Sequence, residues 1–220
     1  MSAEYSEEKL RELIRIYNNI KPVIVNRLLE FEEIWERSDE HAMFMELAFC
    51  LFTPQSRARN CWKAVTSLEK SGMLFNASAS DIANKINEVR FRNNKAAYLV
   101  SARNMVIDNG HIAIKEKLTK FPTPFKIREW LVNNIKGLGY KEATHFLRNI
   151  GMGDNLAILD RHILNILKEV GAIDEIPRNM SRKKYLEIEK DMQSLAEYLN
   201  IPMTHLDLVM WYRKVGEVFK

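Results

Sequence analysis

Cysteine is nearly absent from this chain: Cys50 and Cys61 are the only two in 220 residues. Two thiols can supply neither a disulfide framework nor a four-cysteine metal site. Cys50 lies in the apolar run Ala48-Phe49-Cys50-Leu51-Phe52, which predicts a buried free thiol. Glycine and proline are sparse as well, at 8 and 6. No sustained alternation of apolar and polar residues occurs, and apolar residues recur instead at helical spacing. No apolar run approaches the length of a membrane span. Low-complexity tracts and repeats of solenoid length are missing. Met1 to Lys9 carries three glutamates and no apolar stretch, unlike a secretory signal. A cytoplasmic protein in a reducing compartment is expected. The histidines His41, His111, His145, His162 and His205 show no metal-ligand spacing with one another or with cysteine.

What is present reads as all-α. Hydrophobic residues at 46% and charged residues at 28% are ordinary for a soluble globular chain of this length. The net charge of +4 permits an anionic partner without naming one. Helices are predicted near 6–19, 22–36, 39–52, 56–70, 79–87, 93–108, 110–118, 125–135, 141–150, 161–170, 181–199 and 203–216. Ser38-Asp39-Glu40 offers capping oxygens before the third of these. Thr53-Pro54 stops it, because the residue before proline avoids helical backbone. Phe121-Pro122-Thr123-Pro124 predicts a turn, and Gly151-Met152-Gly153-Asp154-Asn155 a loop. No long linker occurs. The expected organisation is therefore a single unit of two helical lobes around a shared cleft. A central lobe covers about 40–150, and the N-terminal segment with 151–220 forms the other. Arg90, Arg92, Lys95 and Arg103 form a basic stretch on a predicted helix and its lead-in, a candidate to track a nucleic-acid backbone. Arg182-Lys183-Lys184 reads as a solvated face first.

Residues 125–150 carry the sharpest pattern: an amphipathic helix, then Gly137-Leu138-Gly139, then a second amphipathic helix. Two glycines around one apolar residue let the chain turn at once while Leu138 fills the space between the helices. They also remove side chains that would hold a phosphate away. The start of the second helix presents N–H groups and a partial positive charge, a ready phosphate site. Lys136, Lys141 and Arg148 add charge nearby. An ordinary helical hairpin with a glycine turn shares this pattern. The flanking amphipathic helices and the lysine favour contact with a DNA backbone at Gly137, Gly139, Lys136 and Arg148.

The run Gly137-Leu-Gly-Tyr-Lys141-Glu-Ala, followed by Gly151-Met-Gly-Asp-Asn-Leu-Ala-Ile-Leu-Asp160-Arg-His, resembles the helix-hairpin-helix–Gly/Pro–Asp superfamily of DNA glycosylases. With Thr53-Pro54-Gln55-Ser56 and a C-terminal lysine, it looks most like the archaeal, second type of 8-oxoguanine DNA glycosylase/AP lyase. The resemblance covers most of the chain and is strongest over 135–165. It implies that Lys141 and Asp160 are the catalytic pair, with the family's separation of 19 positions. It further implies that the C-terminal segment helps form the lesion pocket, with Gln55, Asp207, Trp211 and Lys220 as candidates. On that basis Trp211 would stack on the base and Asp207 would accept from the guanine N1–H and N2–H edge. Iron–sulfur members of the superfamily carry four cysteines near the C-terminus. None occurs there in this chain, so no cluster is expected. No cofactor is expected either, a monovalent cation at the hairpin being the one ion left open. The implied partner is double-stranded DNA containing oxidised guanine, bound by a monomer at a prokaryotic nucleoid.

The residue types suit that chemistry. A lysine amine is a nucleophile only when neutral, and the start of a helix disfavours added positive charge. Attack at deoxyribose C1′ would expel the base and open to a Schiff base, from which β-elimination cuts the strand 3′ to the lesion. Asp160 precedes an apolar-periodic run and reads by itself as an N-cap. The resemblance adds a second role, stabilising the positive charge that develops as the base leaves. The base must leave the stack first, which demands a pocket with a flat apolar wall. Trp211 on its own reads as a core residue, and a last residue usually frays. Two other functions stay open: removal of a different damaged base, and a non-enzymatic helix-hairpin-helix module that only holds DNA.

Overall fold

The computed structural model describes residues 5–220. Among them are twelve helices and one short two-stranded ladder. The order is α1 (Glu7–Glu36), α2 (Glu40–Phe52), α3 (Ala58–Lys70), α4 (Met73–Asn76), α5 (Ala79–Lys85), α6 (Arg92–Val106), β1 (Ile107–Asp108), β2 (His111–Ile112), α7 (Ile114–Leu118), α8 (Pro124–Asn134), α9 (Tyr140–Asn149), α10 (Arg161–Glu169), α11 (Arg182–Leu199) and α12 (Met203–Val215). The all-α reading therefore stands. No described helix is long and apolar enough to cross a membrane. Two compact units result: Glu32–Met152 is one, and the chain up to Phe31 together with Gly153–Lys220 is the other.

Two local expectations fail for physical reasons. The predicted break between 19 and 22 does not occur, and α1 runs unbroken through Pro22. Its buried stripe of Leu10, Leu13, Tyr17, Ile20 and Ile24 continues past the proline at helical spacing. Pro22 and Asn18, whose carbonyl loses its helical partner there, are both exposed, so water can take the place of the missing N–H. The helix predicted over 110–118 begins instead with a hairpin. Ile107 pairs with Ile112 and Asp108 with His111 around Asn109-Gly110. Both turn residues have positive φ, 46° and 82°, as a tight two-residue hairpin requires. Only Ile114–Leu118 is helical, and its first two N–H groups donate to the Glu40 carboxylate.

In the Glu32–Met152 unit, α2 is the core element. Met43, Phe44 and the whole run Glu46–Phe52 are buried, and the helix packs on α3, α6, α7 and α9. Asp39 caps it by accepting from Ala42 N–H at 2.8 Å. Each buried phenylalanine on α2 contributes on the order of 2–3 kcal/mol. A helix buried on nearly every side must pair any polar group it carries. Glu46 does so by accepting from Asn149 Nδ2 at 2.8 Å.

In the other unit α12 packs on α10 and α11. Arg213 of α12 reaches Glu12 of α1 at 3.0 Å and Glu169 of α10 at 2.7 Å, so one guanidinium ties together three helices. Tyr17 of α1 and His205 of α12 share a hydrogen bond at 3.1 Å.

Candidate active site

The hairpin between α8 and α9 is built as the spacing required, but the two glycines differ in purpose. Gly137 has φ of 98°, in the left-handed region that favours glycine. A Cβ there would meet the Tyr98 ring at 2.5 Å and Leu51 at 3.2 Å. Gly137 is thus demanded by backbone shape and by packing against its own unit. Gly139 has φ of −90° and caps α9, and a Cβ on it would meet only the Glu142 carboxylate, at 3.0 Å. Both glycines are exposed and Leu138 between them is buried. Backbone at the turn therefore faces solvent while the apolar plug faces inward.

Residues outside the motif lock the two helices. Arg128 on α8 is 1% exposed, donates to Thr144 Oγ1 on α9 at 3.1 Å, and lies over the rings of Tyr140 and Phe125. Tyr140 donates to Glu129 at 2.8 Å. Lys136 is exposed, with its ammonium 5.6 Å from the Tyr98 ring centre. Arg148, expected at the DNA backbone, is only 4% exposed. Its guanidinium donates to Asn149 Oδ1, and Asn149 continues to Glu46. Arg148 thus joins an internal polar chain through Asn149 to Glu46. Lys95 and Arg103 are likewise buried. Arg103 donates to the Leu74 and Ala77 carbonyls, and Lys95 holds the turn after α2. Of that basic stretch Arg90 and Arg92 remain exposed, on either side of Phe91. Phe91 is itself 55% exposed, with φ of 57°, an uncommon backbone for a bulky residue.

Lys141 occupies the first turn of α9, half-buried, with its ammonium 3.5 Å from the Glu142 carboxylate. The other oxygen of Glu142 accepts from Gly139 N–H at 3.2 Å. One carboxylate thus caps the helix and touches the lysine, a role that sequence reading missed. Its signal is glutamate three residues after the capping glycine. The Lys141 charge also acts on two buried thiols. Burial pushes Cys50 well above the ordinary thiol value and Cys61 up to about 11, with Lys141 among the charges working the other way. Gln55 is exposed in the turn after α2, with φ of 56°.

In its own unit, Asp160 is the N-cap of α10. Its Oδ1 accepts from His162 N–H at 2.7 Å and Ile163 N–H at 2.8 Å. Both bonds fall on one oxygen, which leaves Oδ2 outside the cap. The segment leading to Asp160 is strapped from α11. Tyr185 donates to the Ala157 carbonyl and accepts from Leu159 N–H, and Glu189 accepts from Ala157 N–H at 2.8 Å. Sequence reading passed over both residues, because a tyrosine and a glutamate on an amphipathic helix carry no local mark of such a role.

The remaining candidates lie on α12 and beyond it. Asp207 is buried at 4% exposure, whereas Trp211 is half-exposed, with its ring edge-on to His162 at 5.7 Å. Lys220 places its ammonium 5.7 Å from the centre of the buried Phe31 ring. A hollow of about 470 Å3 in this unit is lined by Glu12, His162, Asn165, Glu169 and Arg213. It contains none of Asp207, Trp211 or Lys220.

Comparison with known proteins bears on this arrangement. A family model described as 8-oxoguanine DNA glycosylase matches residues 24–201. A protein of Fusobacterium nucleatum named 8-oxoguanine DNA glycosylase/AP lyase is 45% identical over 213 residues, covering 97% of this chain and 98% of that protein. The crystal structure of the 8-oxoguanine DNA glycosylase of Thermotoga maritima matches with a TM-score of 0.87 and 36% identity, over 97% of this chain and 99% of that one. The 8-oxoguanine glycosylase/lyase of Methanocaldococcus jannaschii, solved with a 15mer DNA containing 8-oxoguanine, matches with a TM-score of 0.85 and 38% identity, over 97% of this chain and 98% of that one. By sequence and by fold, over nearly its whole length, the chain belongs to the 8-oxoguanine DNA glycosylase family.

Proposed function

We propose that this protein is a bifunctional DNA glycosylase and AP lyase that removes 8-oxoguanine from duplex DNA. The observation that carries the reading is family membership across almost the entire chain, 45% identical to a relative of that name. Lys141 on the first turn of α9 and Asp160 at the cap of α10 supply the residue types the reaction needs.

The steps follow from those groups. The flipped nucleotide presents C1′ to the Lys141 amine, which attacks after giving up its proton. Nζ forms a bond to C1′ while the bond from C1′ to the base breaks, and the base leaves with the electron pair and takes up a proton. Positive charge develops at the sugar during that step, and the Asp160 carboxylate stabilises it. The resulting aminal opens to an imine, which acidifies the C2′ proton. Loss of that proton expels the 3′ phosphate, and water then frees the lysine. Gln55, Asp207, Trp211 and Lys220 are assigned to the base, and the exposed hairpin backbone with Lys136 to the phosphates. The reading needs no metal ion or organic cofactor, and it leaves a monovalent cation at the hairpin as the one candidate ion.

Borohydride reduction tests the nucleophile, because it converts the imine to a stable amine and traps protein on DNA. The parent protein should trap on an 8-oxoguanine duplex and Lys141→Gln should not. Equal trapping by Lys141→Gln would remove Lys141 from the mechanism. Equal cutting of a duplex carrying an oxidised pyrimidine would remove the guanine assignment.

A further inference from the structure

The mechanism leaves a buried cation unused. Lys95 on α6 is 4% exposed, yet its ammonium has a full set of acceptors. It donates to the Phe52 carbonyl at 2.6 Å, the Pro54 carbonyl at 2.6 Å and Ser56 Oγ at 3.1 Å. An ammonium has three protons, and each finds one acceptor on a single turn. Phe52 ends α2, so the charge also lies where that helix leaves unpaired carbonyls and a partial negative charge.

Those acceptors bracket Gln55. Pro54 and Ser56 are its two chain neighbours, and both are tied to the same ammonium. Ser56 Oγ also accepts from Arg90 N–H at 3.0 Å, which fastens the turn to the lead-in of α6. Gln55 itself is exposed, in left-handed backbone at φ of 56°. A glutamine holds that conformation only where its surroundings impose it. Burial lowers the Lys95 pKa from its ordinary value; the Arg90 and Lys141 charges act in the same direction, and the Glu142 charge in the opposite one.

A buried lysine is a poor choice for stability alone, since an apolar residue of similar volume often serves as well. What the ammonium does and a methionine cannot do is fix several acceptors at set positions. We propose that Lys95 is a positioning residue for lesion recognition: it sets the turn that presents Gln55 to the base. The inference rests on the proposed function, with Gln55 facing the lesion. It separates base recognition from the lyase step, because an abasic site has no base for Gln55 to meet.

Single-turnover cleavage of an 8-oxoguanine duplex and of a preformed abasic duplex tests this. Lys95→Met should slow cutting of the lesion duplex by about tenfold or more and leave abasic cutting within about threefold. Lys95→Arg should restore part of the loss. Gln55→Ala should show the same selective loss, and adding it to Lys95→Met should cost little more. If Lys95→Met fails to fold, Ser56→Ala removes one acceptor and should give the same selectivity in milder form. Equal loss on both substrates, losses that multiply in the double variant, or a silent Gln55→Ala would each overturn the inference. A parent protein that cuts neither duplex would instead overturn the proposed function.

Discussion

A Cβ placed on Gly137 would lie 2.5 Å from the Tyr98 ring, and φ at Gly137 is 98°. Gly137→Ala should therefore lose about 2 kcal/mol or more, from backbone strain and overpacking together. Gly139→Ala keeps an ordinary φ and meets only the movable end of Glu142, so it should lose about 0.5–1 kcal/mol, the usual difference between glycine and alanine at a cap. Urea denaturation of the two variants compares them directly. Equal losses would remove the packing argument for Gly137.

Asp160 should show two separable roles. Asp160→Asn keeps an oxygen for His162 and Ile163 N–H, so stability should change by about 0.5 kcal/mol or less. Base excision should nevertheless fall by about 100-fold or more, since the charge proposed to stabilise the sugar is gone. Asp160→Ala should lose the cap as well, at about 1 kcal/mol. Thermal unfolding with single-turnover excision measures both. An active Asp160→Asn would reduce Asp160 to a cap.

Lys136 and Arg148 should part company on DNA. Lys136 is exposed, so Lys136→Ala should leave stability unchanged and flatten the salt dependence of duplex binding by about one unit of slope. Arg148 is buried on Asn149, so Arg148→Ala should cost about 2–3 kcal/mol of folding free energy by breaking the chain to Glu46. Binding titrations across a salt series, with unfolding curves, decide the matter. An unchanged slope for Lys136→Ala would remove it from the phosphate contacts.

Both thiols should be silent in the folded protein. Burial raises Cys50 well above the ordinary value of 9.0 and Cys61 to about 11, so a disulfide reagent at pH 8 should label neither at an appreciable rate and both in denaturant. The sign for stability follows. An unfolded thiol ionises near 9.0 while the folded one stays protonated, so their contribution is complete below that pH. The Cys61 part is lost as pH rises from about 9.0 through about 11. Cys61→Ser should flatten the alkaline limb of the melting-temperature profile; an unchanged limb would show that Cys61 does not set it.

The helical residues were largely legible because their cues are local. Apolar spacing located α2, α9 and α10. Asp39 and Asp160 stood where capping oxygens belong, and both caps form. Gly-Leu-Gly gave the hairpin because a tight turn restricts few residues but restricts them severely. The Asn109-Gly110 hairpin was legible in principle and lost to an over-extended helical period. Pro22 misled because the rule against proline in helices assumes a carbonyl with no other partner, and an exposed face provides water.

What the sequence by itself determined is the class of fold, the hairpin, the two caps and the residue types available for lysine chemistry. Each depends on groups a few positions apart, whose geometry the chain fixes directly. Tertiary structure alone decided which charges work inside the protein. Lys95, Arg103 and Arg148 read as surface cations, and each is buried on carbonyl or amide acceptors from distant or neighbouring elements. It also decided that Gly137 answers to Tyr98, 39 positions earlier. A buried charge is viable only where acceptors converge in space, and no periodicity along one helix records what another helix will bring to it.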